Sequence, residues 1–529
     1  MESFMNSTVS RGVMIGAPCS GSGKTVFTVG LLQALKKKGF PVRSFKCGPD
    51  YIDPMYHTKV LGVPCRNLDT WFTGDEKTVE LFRSGEDGSA LSVVEGVMGL
   101  YDGVAGICPE GSSYDLARIL RLPIILVIAV GGVGRSLIAM VRGFQTMDTE
   151  GLIRGVFINK ISKEMYDRIA PELERETGLP LLGFLPKEEK LIAPERHLGL
   201  FAPEEVDRDF ALAAGNAVEK ALDWDAFFTL TGVVPGGDGN LPEDARFVGC
   251  FHPRRSDCSE ESDGTCSRED YAEEMEDSCY RKGCSEETED SCSQGKHYED
   301  DTKHGIETTD DEKGLKDNHT VVLAVARDPA FSFLYEDNLR ELEKEGANIR
   351  FFSPIKDKVL PQDCDGLYLP GGYPELYLKE LSENQSMRQD ILSKIKGGLP
   401  TIAECGGFLY LGKSISDDQG NVYPMVGLLP GTAERKGKSR RFGYVTVKEK
   451  VPAFLSEGIT LKGHEFHYYE STENGSSCRM EKPVTQRTWE GIFTTETLWA
   501  GFPHIYFPAE PGFVRAFVGK MRRFRDALR

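Results

Sequence analysis

Two stretches of the chain alternate short apolar runs with amphipathic segments, and this alternation limits the folds that the sequence can adopt. In the first stretch, the apolar runs at 12–16, 91–94 and 122–130 are separated by segments with apolar residues at helical spacing, such as 26–39. The same alternation resumes after residue 320. Strands joined through helices pair in parallel, with helices covering both faces of the sheet. The sequence therefore predicts an α/β protein with two parallel sheets.

The segment between the two stretches has a different composition. It is dense in Asp, Glu, Ser and Cys and almost without Leu, Ile and Val, so it cannot bury enough apolar surface to become ordered. With 529 residues, the chain is also too long for one core. We predict a first α/β domain at 1–232, a linker with an acidic, disordered insertion at 233–318, and a second α/β domain at 319–529. A metal or redox role for the cysteines of the insertion, or a disulfide framework, are the alternatives.

Charge and hydropathy exclude two classes of partner. The formal net charge of −19 argues against binding to nucleic acid, whose phosphates would be repelled. The most apolar run, 122–130, is too short to span a bilayer and is expected to be a buried strand. The N-terminus lacks the long apolar core of a secretory signal. We therefore predict a cytoplasmic protein with reduced thiols.

A glycine-rich loop at 16–25 lies between a predicted strand and a predicted helix, which is the setting of a phosphate-binding loop. Its glycines allow backbone N–H groups to converge on phosphate oxygens at the helix N-terminus. Lys24 is expected to neutralise the β- and γ-phosphates, and the hydroxyl of Thr25 to bind Mg²⁺. The predicted cofactors are therefore ATP and Mg²⁺, with the nucleotide contacted by Gly21, Ser22, Gly23, Lys24 and Thr25.

Three acidic residues follow predicted strands in this domain. Asp50 and Asp53 come after the second strand, and Glu95 follows the apolar run at 91–94. Ligands bind at the carboxyl edge of such sheets, and carboxylates there commonly hold Mg²⁺. We predict Asp50 and Glu95, with Thr25, as the metal ligands. Turn formation and helix capping are the alternative roles.

The second domain carries the pattern of a thiol nucleophile. Cys405 is followed by two glycines at the junction of a predicted strand and helix, which is the geometry of a nucleophile elbow. The dipole of the following helix is expected to lower the pKa of the thiol. A second glycine turn, with Gly371 and Gly372, could donate N–H groups to an oxyanion. A buried, inert cysteine is the alternative. Three histidines are candidates for the general base: His464, His467 and His504.

Taken in order along the chain, these motifs resemble a known family. They are the phosphate loop, KCGPDYIDPMYH (46–57), RNLD (66–69), EGVMGLYDG (95–103), ERHLGL (195–200), ARDPAFSFLYEDNL (326–339), LPGGYPE (369–375), AECGGFLYLG (403–412) and GHEFHYYE (463–470). Their order and content resemble the cobyrinate a,c-diamide synthase family, including its nickel-sirohydrochlorin a,c-diamide synthase relatives. The resemblance covers nearly everything except about 235–315.

The resemblance implies two domain types. The first domain would be a dethiobiotin-synthetase-like ATPase, in which Asn159 and Lys160 match the position that contacts adenine, although a simple turn remains an alternative there. The second would be a class I, triad-type glutamine amidotransferase with a flavodoxin-like fold. There Cys405 would be the nucleophile and His504, by position, the general base. The residue two positions after His504, where class I enzymes often place an acid, is Tyr506, which leaves the third member of the triad open.

The resemblance also implies a reaction. ATP would phosphorylate a carboxylate of a cobyrinate-type tetrapyrrole acid, and ammonia from L-glutamine would displace the phosphate, first on one and then on the other of the a and c side chains. The alternatives are nickel-sirohydrochlorin as acceptor, the related cobyric acid synthase reaction, and, outside the enzymes, a partner-regulated ATPase switch. The oligomeric state stays open, with a homodimer as one option. The residues assigned to the acceptor are Tyr51, Asp53, His57 and Asp102.

Overall fold

A computed structural model describes residues 11–85, 90–191, 208–233, 320–436 and 441–528. The ERHLGL motif and nearly all of the predicted linker and insertion lie outside the described residues. Within the described part of the chain, no helix combines the length and the apolar character needed to cross a bilayer.

The N-terminal half is built on a seven-stranded sheet in which every pair of neighbouring strands is parallel, in the order β3-β2-β4-β1-β5-β6-β7. Its strands are β1 Gly12–Gly16, β2 Val42–Cys47, β3 Cys65–Leu68, β4 Leu91–Glu95, β5 Ile124–Ala129, β6 Ile153–Asn159 and β7 Leu181–Leu185. Its helices are α1 Lys24–Lys37, α2 Ile52–Lys59, α3 Thr70–Arg83, α4 Ser113–Leu120, α5 Ser136–Met147, α6 Lys163–Thr177, α7 Arg208–Ala221 and α8 Trp224–Thr231.

Strand β5 shows why this sheet is buried on both faces. Ile124, Leu126 and Ile128 belong to the hydrophobic cluster on one face. Ile125 and Val127 belong to the cluster on the other face. Because successive side chains of a strand point to opposite faces, a continuous apolar run is what a sheet covered by helices on both sides requires. The expectation of a buried strand at 122–130 is thereby confirmed.

The C-terminal half contains a six-stranded sheet in the order β20-β21-β11-β10-β8-β9, parallel except for β20. A four-stranded sheet (β13-β12-β14-β17) and a five-stranded antiparallel sheet (β19-β18-β15-β16-β22), neither of which we predicted, complete it. The strands are β8 Val321–Ala326, β9 Ala347–Phe352, β10 Gly366–Leu369, β11 Thr401–Glu404, β12 Ser414–Ser416, β13 Val422–Pro424, β14 Thr432–Arg435, β15 Gly443–Glu449, β16 Thr460–Glu465, β17 Tyr469–Ser471, β18 Cys478–Glu481, β19 Thr488–Gly491, β20 Phe493–Thr494, β21 Leu498–Gly501 and β22 His504–Ile505. The helices are α9 Glu336–Lys344, α10 Leu378–Glu383, α11 Gln385–Lys396, α12 Gly406–Leu411 and α13 Pro511–Leu528.

The two halves belong to one compact unit and share buried polar contacts. The hydroxyl of Tyr444, on β15, donates to Asp69 Oδ2 at 2.7 Å. Asp69 also caps α3 by accepting from the N–H of Phe72. Arg66, on β3, forms an ion pair with Asp337 of α9 at 2.5 Å. Both partners of this pair are less than a tenth exposed, so the interface excludes water at this point. The predicted domain limits remain a prediction.

Candidate active sites at the interface of the two halves

The phosphate loop follows β1 at the carboxyl edge of the first sheet, where β1 lies between β4 and β5. Gly21 and Gly23 adopt φ values of 80° and 99°, which side chains disfavour. A Cβ at Gly23 would lie 1.9 Å from Asn159 Nδ2, so only glycine allows this approach. The loop therefore has the glycine-dependent backbone that a phosphate site needs.

Two polar residues at the end of β6, Asn159 and Lys160, donate hydrogen bonds to the backbone of this loop. Asn159 Nδ2 donates to the carbonyl of Ser22 at 3.0 Å. Lys160 Nζ donates to the carbonyl of Gly21, also at 3.0 Å. The observed contacts of Asn159 and Lys160 are thus with the loop backbone, and an adenine contact for them stays a prediction.

Lys24 is buried at the start of α1. Its ammonium donates to the carbonyls of Cys19 and Met98. Burial and the neighbouring Lys46 lower the pKa of Lys24 to about 8, against the attraction of Glu95. A bound phosphate would counter this effect, because a nearby anion favours the ammonium form.

A buried cluster of charged side chains lies next to the phosphate loop. Lys46 Nζ, at the end of β2, is 2.6 Å from Asp53 Oδ2, 3.3 Å from Glu95 Oε1 and 3.8 Å from Asp50 Oδ2. Burial opposes the charge on Lys46, but Asp53, Glu95 and Asp50 together raise its pKa above the ordinary value. We had not singled out Lys46. The available signal was a lysine at the end of an apolar strand, a position where a charge needs a partner.

Two of the three predicted magnesium ligands come together. The hydroxyl of Thr25 donates to Glu95 Oε1 at 2.7 Å, and both groups are oxygen donors of the kind that Mg²⁺ prefers. Asp50 Oδ1 accepts from the N–H groups of Ile52 and Asp53 at the start of α2, and a role for Asp50 as a metal ligand stays a prediction. Among the described residues, no group of three or more His, Cys, Asp or Glu side chains is arranged to hold a metal ion. Thr25 and Glu95 fit the chemistry of a magnesium site shared with a nucleotide.

The four residues assigned to the acceptor have different surroundings. Tyr51 lines a large cavity, which is described below. Asp53 is 1% exposed and paired with Lys46. His57 is fully buried, with Nδ1 2.8 Å from Ser44 Oγ and Nε2 3.2 Å from Glu95 Oε2. Asp102 Oδ2 accepts from the N–H of Gly99 and stabilises a turn. The structure does not bring Asp53 and His57 to the cavity, because their burial makes them supports of the charge cluster.

Cys405 stands at the junction of β11 and α12, with φ of 47° and ψ of −103°. Such a conformation is costly for a residue with a side chain and is typical of functional positions. Its Sγ lies 3.9 Å from the carbonyl oxygen of Phe466. The predicted elbow is therefore confirmed.

The predicted lowering of the thiol pKa is wrong for this structure. Burial raises the pKa of Cys405 well above its ordinary value, and the neighbouring carboxyl groups of Glu375, Glu465 and Glu404 raise it further. The N–H of Gly406 favours the thiolate, but this effect is smaller. The thiol is consequently neutral in the free protein and must lose its proton to a base during attack.

The second glycine turn packs directly on the elbow and on a histidine. A Cβ at Gly406 would lie 3.1 Å from the backbone N of Gly372, and a Cβ at Gly371 would lie 2.3 Å from His504 Cε1. Glycine is required at both positions for this approach. The structure thus brings Gly371, Gly372, the elbow of Cys405 and His504 together, as the sequence predicted.

The three candidate histidines have distinct environments. His504 is 1% exposed, and its Nδ1 has no hydrogen-bond partner. Burial, with a smaller contribution from His467, lowers the pKa of His504 to about 3, so its imidazole is neutral as a base requires. His464 pairs with His504 across β16 and β22. His467 bonds to the carbonyl of Tyr469 and stacks on Phe502, which is a structural role.

The strand of His504 is supported by residues that the sequence reasoning missed. Glu404 Oε1 accepts from the N–H of Ile505 at 3.0 Å, and Oε2 accepts from the hydroxyl of Tyr368 at 2.8 Å. Burial raises the pKa of Glu404 to about 8. Tyr506 donates to Asp337 and to the carbonyl of Asn67 rather than to His504. The signal for Glu404 was its position directly before Cys405.

One cavity of about 870 Å³ is lined by residues of both halves, including Asp50 of the loop after β2 and His504 of β22. On the N-terminal side it is lined by Asp50, Tyr51, Ile52, Val97, Met98 and 103–106. On the C-terminal side it is lined by Phe333, Tyr373, 442–444, His464, Phe466, 482–485, Arg487 and His504. The walls are mainly apolar and aromatic, with cations at 482 and 487. This shape can hold a large flat molecule between the histidine of one site and the acidic loop of the other.

Comparison with known proteins identifies both halves. Residues 13–201 match the model of the CobQ/CobB/MinD/ParA nucleotide binding domain. Residues 322–511 match the model of the CobB/CobQ-like glutamine amidotransferase domain. The first match shows that the phosphate loop belongs to a nucleotide-binding domain, and the second shows that the Cys405 elbow belongs to a glutamine amidotransferase domain.

Relatives match over nearly the whole chain. The cobyrinate a,c-diamide synthase of Listeria innocua serovar 6a is 33% identical over 518 residues, covering 97% of this chain and 99% of the relative. That of Caldanaerobacter subterraneus subsp. tengcongensis is 32% identical over 521 residues, with 97% and 99% covered. That of Picrophilus torridus is 33% identical over 509 residues, with 96% and 98% covered. The chain is therefore a glutamine amidotransferase-type ligase and belongs to the cobyrinate a,c-diamide synthase family.

Proposed function

We propose that this protein uses ATP and L-glutamine to convert the a and c side-chain carboxylates of a cobyrinate-type acid to amides. The observation that carries the proposal is the single cavity that His504 lines from one half and Asp50 lines from the other. A polycarboxylic macrocycle placed there would present a side-chain carboxylate towards the phosphate loop. The names of the relatives support cobyrinate as the acid.

In the amidotransferase half, the neutral pair Cys405 and His504 would release ammonia. His504 takes the thiol proton as Sγ attacks the amide carbon of glutamine, and the same proton then passes to the departing nitrogen. The N–H groups at Gly371 and Gly372 are placed to stabilise the oxyanion. Water then hydrolyses the thioester to glutamate. The strained elbow supports this role because it holds Sγ next to that turn.

In the nucleotide-binding half, Lys24 would offset the negative charge that accumulates on the transferred phosphoryl group. An oxygen of the acceptor carboxylate attacks the γ-phosphorus, ADP leaves, and ammonia then displaces phosphate from the acyl phosphate. Phosphorylation is needed because an oxide is too poor a leaving group for amide formation at a carboxylate. Mg²⁺ held by Thr25 and Glu95 would supply further charge neutralisation at the phosphates.

Product mass tests the acceptor directly. The protein is incubated with ATP, Mg²⁺, glutamine and one of three acids: cobyrinate, hydrogenobyrinate or nickel-sirohydrochlorin. We expect two successive acid-to-amide mass changes with cobyrinate. If nickel-sirohydrochlorin alone is amidated, the protein is a nickel-sirohydrochlorin a,c-diamide synthase. If none of the acids is amidated, the proposed function is refuted.

A Cys405→Ala variant tests the division into two sites. Glutamine-dependent amidation should fall by roughly three orders of magnitude or more, because the nucleophile is lost. Amidation with ammonium should persist, because it bypasses the thiol. Cys364→Ala is the matched control, since Cys364 is another buried cysteine of the same half, and its Sγ lies 3.9 Å from Lys394 Nζ. Loss of both activities in a folded Cys405→Ala variant would contradict the scheme.

A further inference from the structure

Asn67 connects the two sites through a short series of hydrogen bonds. It lies on β3 and is 6% exposed. Its Nδ2 donates to the carbonyls of Gly48 at 2.9 Å and Asp50 at 2.6 Å, in the loop that carries the acidic edge of the nucleotide site. Its own carbonyl accepts from the hydroxyl of Tyr506 at 3.1 Å. Tyr506 is two residues from His504, so Asn67 contacts both the backbone of the 48–50 loop and the side chain of a residue close to His504.

A buried ion pair anchors this connection. The single hydroxyl hydrogen of Tyr506 is shared between the carbonyl of Asn67 and Asp337 Oδ2, which lies 3.0 Å from the hydroxyl oxygen. The other oxygen of Asp337 accepts from Arg66 Nε at 2.8 Å, and Arg66 precedes Asn67 on β3. Since Arg66 and Asn67 belong to the N-terminal half and Asp337 and Tyr506 to the C-terminal half, the network spans the interface. A buried pair of this kind tolerates little displacement, because each charge depends on its partner.

Aromatic packing forms a second connection between the same elements. The ring of Tyr51, next to Asp50, lies 5.2 Å from the ring of His504 and 4.4 Å from the ring of Tyr335. Tyr335 in turn packs edge-on against Tyr506 at 5.1 Å. Close-packed groups transmit displacement rather than absorb it. A displacement of the 48–51 loop would therefore also displace β22, the strand that carries His504.

We propose that Asn67 and Tyr506 are positioning residues that couple occupancy of the nucleotide and acceptor site to the glutaminase centre. When ATP and the acid fix the position of the 48–51 loop, the hydrogen bonds of Asn67 fix the position of Tyr506. The position of His504, two residues away, is fixed as a result. Glutamine is then hydrolysed when an acceptor is ready, and ammonia is not wasted. This inference rests on the proposed roles of His504 and the Asp50 loop.

The test measures glutamate release in two conditions, with glutamine alone and with glutamine, ATP, Mg²⁺ and cobyrinate. The ratio of the two rates is the stimulation factor. Tyr506→Phe keeps the ring and removes both hydrogen bonds, so the stimulation factor should fall by about fivefold or more, the range of measured couplings between sites. Tyr410→Phe is the matched control, because the hydroxyl of Tyr410 is buried without a hydrogen-bond partner. Its stimulation factor should equal that of the native protein.

Asn67→Ala breaks the same connection from the other end and gives a second reading. If the two residues act along one path, the double variant should lose no more stimulation than the stronger single variant, whereas independent effects would multiply. Melting temperatures of all variants show that the proteins compared are folded. Amide formation from ammonium bypasses His504 and reports on the proposed function alone.

Three results would overturn the inference. One is an unchanged stimulation factor in a folded Tyr506→Phe protein. Another is an equal fall of both rates, which would make Tyr506 a support of His504 without coupling. The third is native glutamate release that is insensitive to ATP and acid while amide still forms from ammonium, which would sever the coupling and leave the proposed function intact.

Discussion

The two sites differ in how their buried polar groups are compensated. At the nucleotide site, Lys46 lies within 4 Å of three carboxylates, and Thr25 donates to one of them. At the glutaminase site, neither oxygen of Glu465 has a hydrogen-bond partner, although its side chain is fully buried, and Nδ1 of His504 is also unpaired. At the first site a buried ammonium lies between carboxylates, whereas at the second the carboxyl group of Glu465 is buried without a hydrogen-bond partner.

This difference matches the chemistry of each half. A nucleotide is a polyanion, and its site keeps a buried cation, Lys46, that stays charged because carboxylates surround it. An amide is neutral, and the groups around Cys405 are held close to neutrality. Burial raises the pKa of Glu404 to about 8 and that of Glu465 to about 7, and lowers that of His504 to about 3. The comparison teaches that burial disfavours charge in both halves, and that a buried group stays charged only where opposite charges surround it.

The largest expected effect is on stability. It follows from removal of the Lys46 ammonium, which leaves the carboxylates of the nucleotide site without their cation. Lys46→Met leaves Asp53 and Glu95 buried without their ammonium partner, and we expect a loss of about 3–5 kcal/mol in the free energy of unfolding. Denaturant titration at pH 7 measures it. Lys37→Met, which removes a largely exposed partner of Glu219, should cost at most about 1 kcal/mol. Equal losses in the two variants would contradict the comparison.

Burial keeps the carboxyl group of Glu404 at the glutaminase site protonated, so the stability of the protein should depend on pH. The pKa of Glu404 in the folded protein is about 8, above its ordinary value, so the folded state binds the proton more tightly than the unfolded state. The protonated carboxyl of Glu404 therefore contributes to the free energy of unfolding at low pH, and this contribution is lost as pH rises from about 5 through 8. In Glu404→Gln, the fall in the free energy of unfolding over this pH range should be smaller than in the native protein by on the order of 1–3 kcal/mol.

Unfolding free energies at pH 5 and pH 8.5 for the native protein and Glu404→Gln provide that measurement. Glu343→Gln is a suitable control, because Glu343 is an exposed residue of α9. If the native protein and Glu404→Gln respond identically to pH, Glu404 is ionised in the folded state and the proposed contrast between the sites fails.

The smallest effect concerns the thiol itself. Because burial raises the pKa of Cys405, its thiolate fraction at pH 7 should be small, and alkylation by iodoacetamide should be slow. The rate should rise about tenfold per pH unit between 7 and 9, equivalent to about 1.4 kcal/mol for each unit. Peptide mass spectrometry follows the modification, with the exposed Cys19 as a measure of reagent access. Fast, pH-independent labelling of Cys405 would show a thiolate in the free protein.

Local features of both sites could be predicted from the sequence because they depend on neighbours along the chain. The glycines at 21 and 23 require no more than a strand before them and a helix after them, and both were found there. The elbow at Cys405 follows from the same logic. The pKa of Cys405 could not be predicted in this way, because it is set first by burial and then by carboxyl groups, such as that of Glu375, that approach only in the folded chain.

Long-range partners account for the other differences. Lys46 was overlooked because Glu95, the one carboxylate of the three that is distant in sequence, approaches it only when β2 and β4 pair. Asp53 and His57 were assigned to the acceptor because they occur in one motif with Tyr51, yet α2 directs them towards the buried cluster while Tyr51 faces the cavity. The antiparallel sheets of the C-terminal half escaped prediction because their short strands, such as the two residues of β22, carry too little pattern to identify.

The sequence by itself determined the two α/β halves, the phosphate loop and the nucleophile elbow, since each follows from residue order over a few turns of chain. The tertiary structure alone decided which side chains share an environment: Lys46 with its carboxylates, His504 with the glycine turn, and Asn67 between the two sites. The physical reason is that electrostatic and packing energies depend on distance in space, and residues separated by hundreds of positions, such as Asn67 and Tyr506, come within hydrogen-bonding distance only when the whole fold has formed.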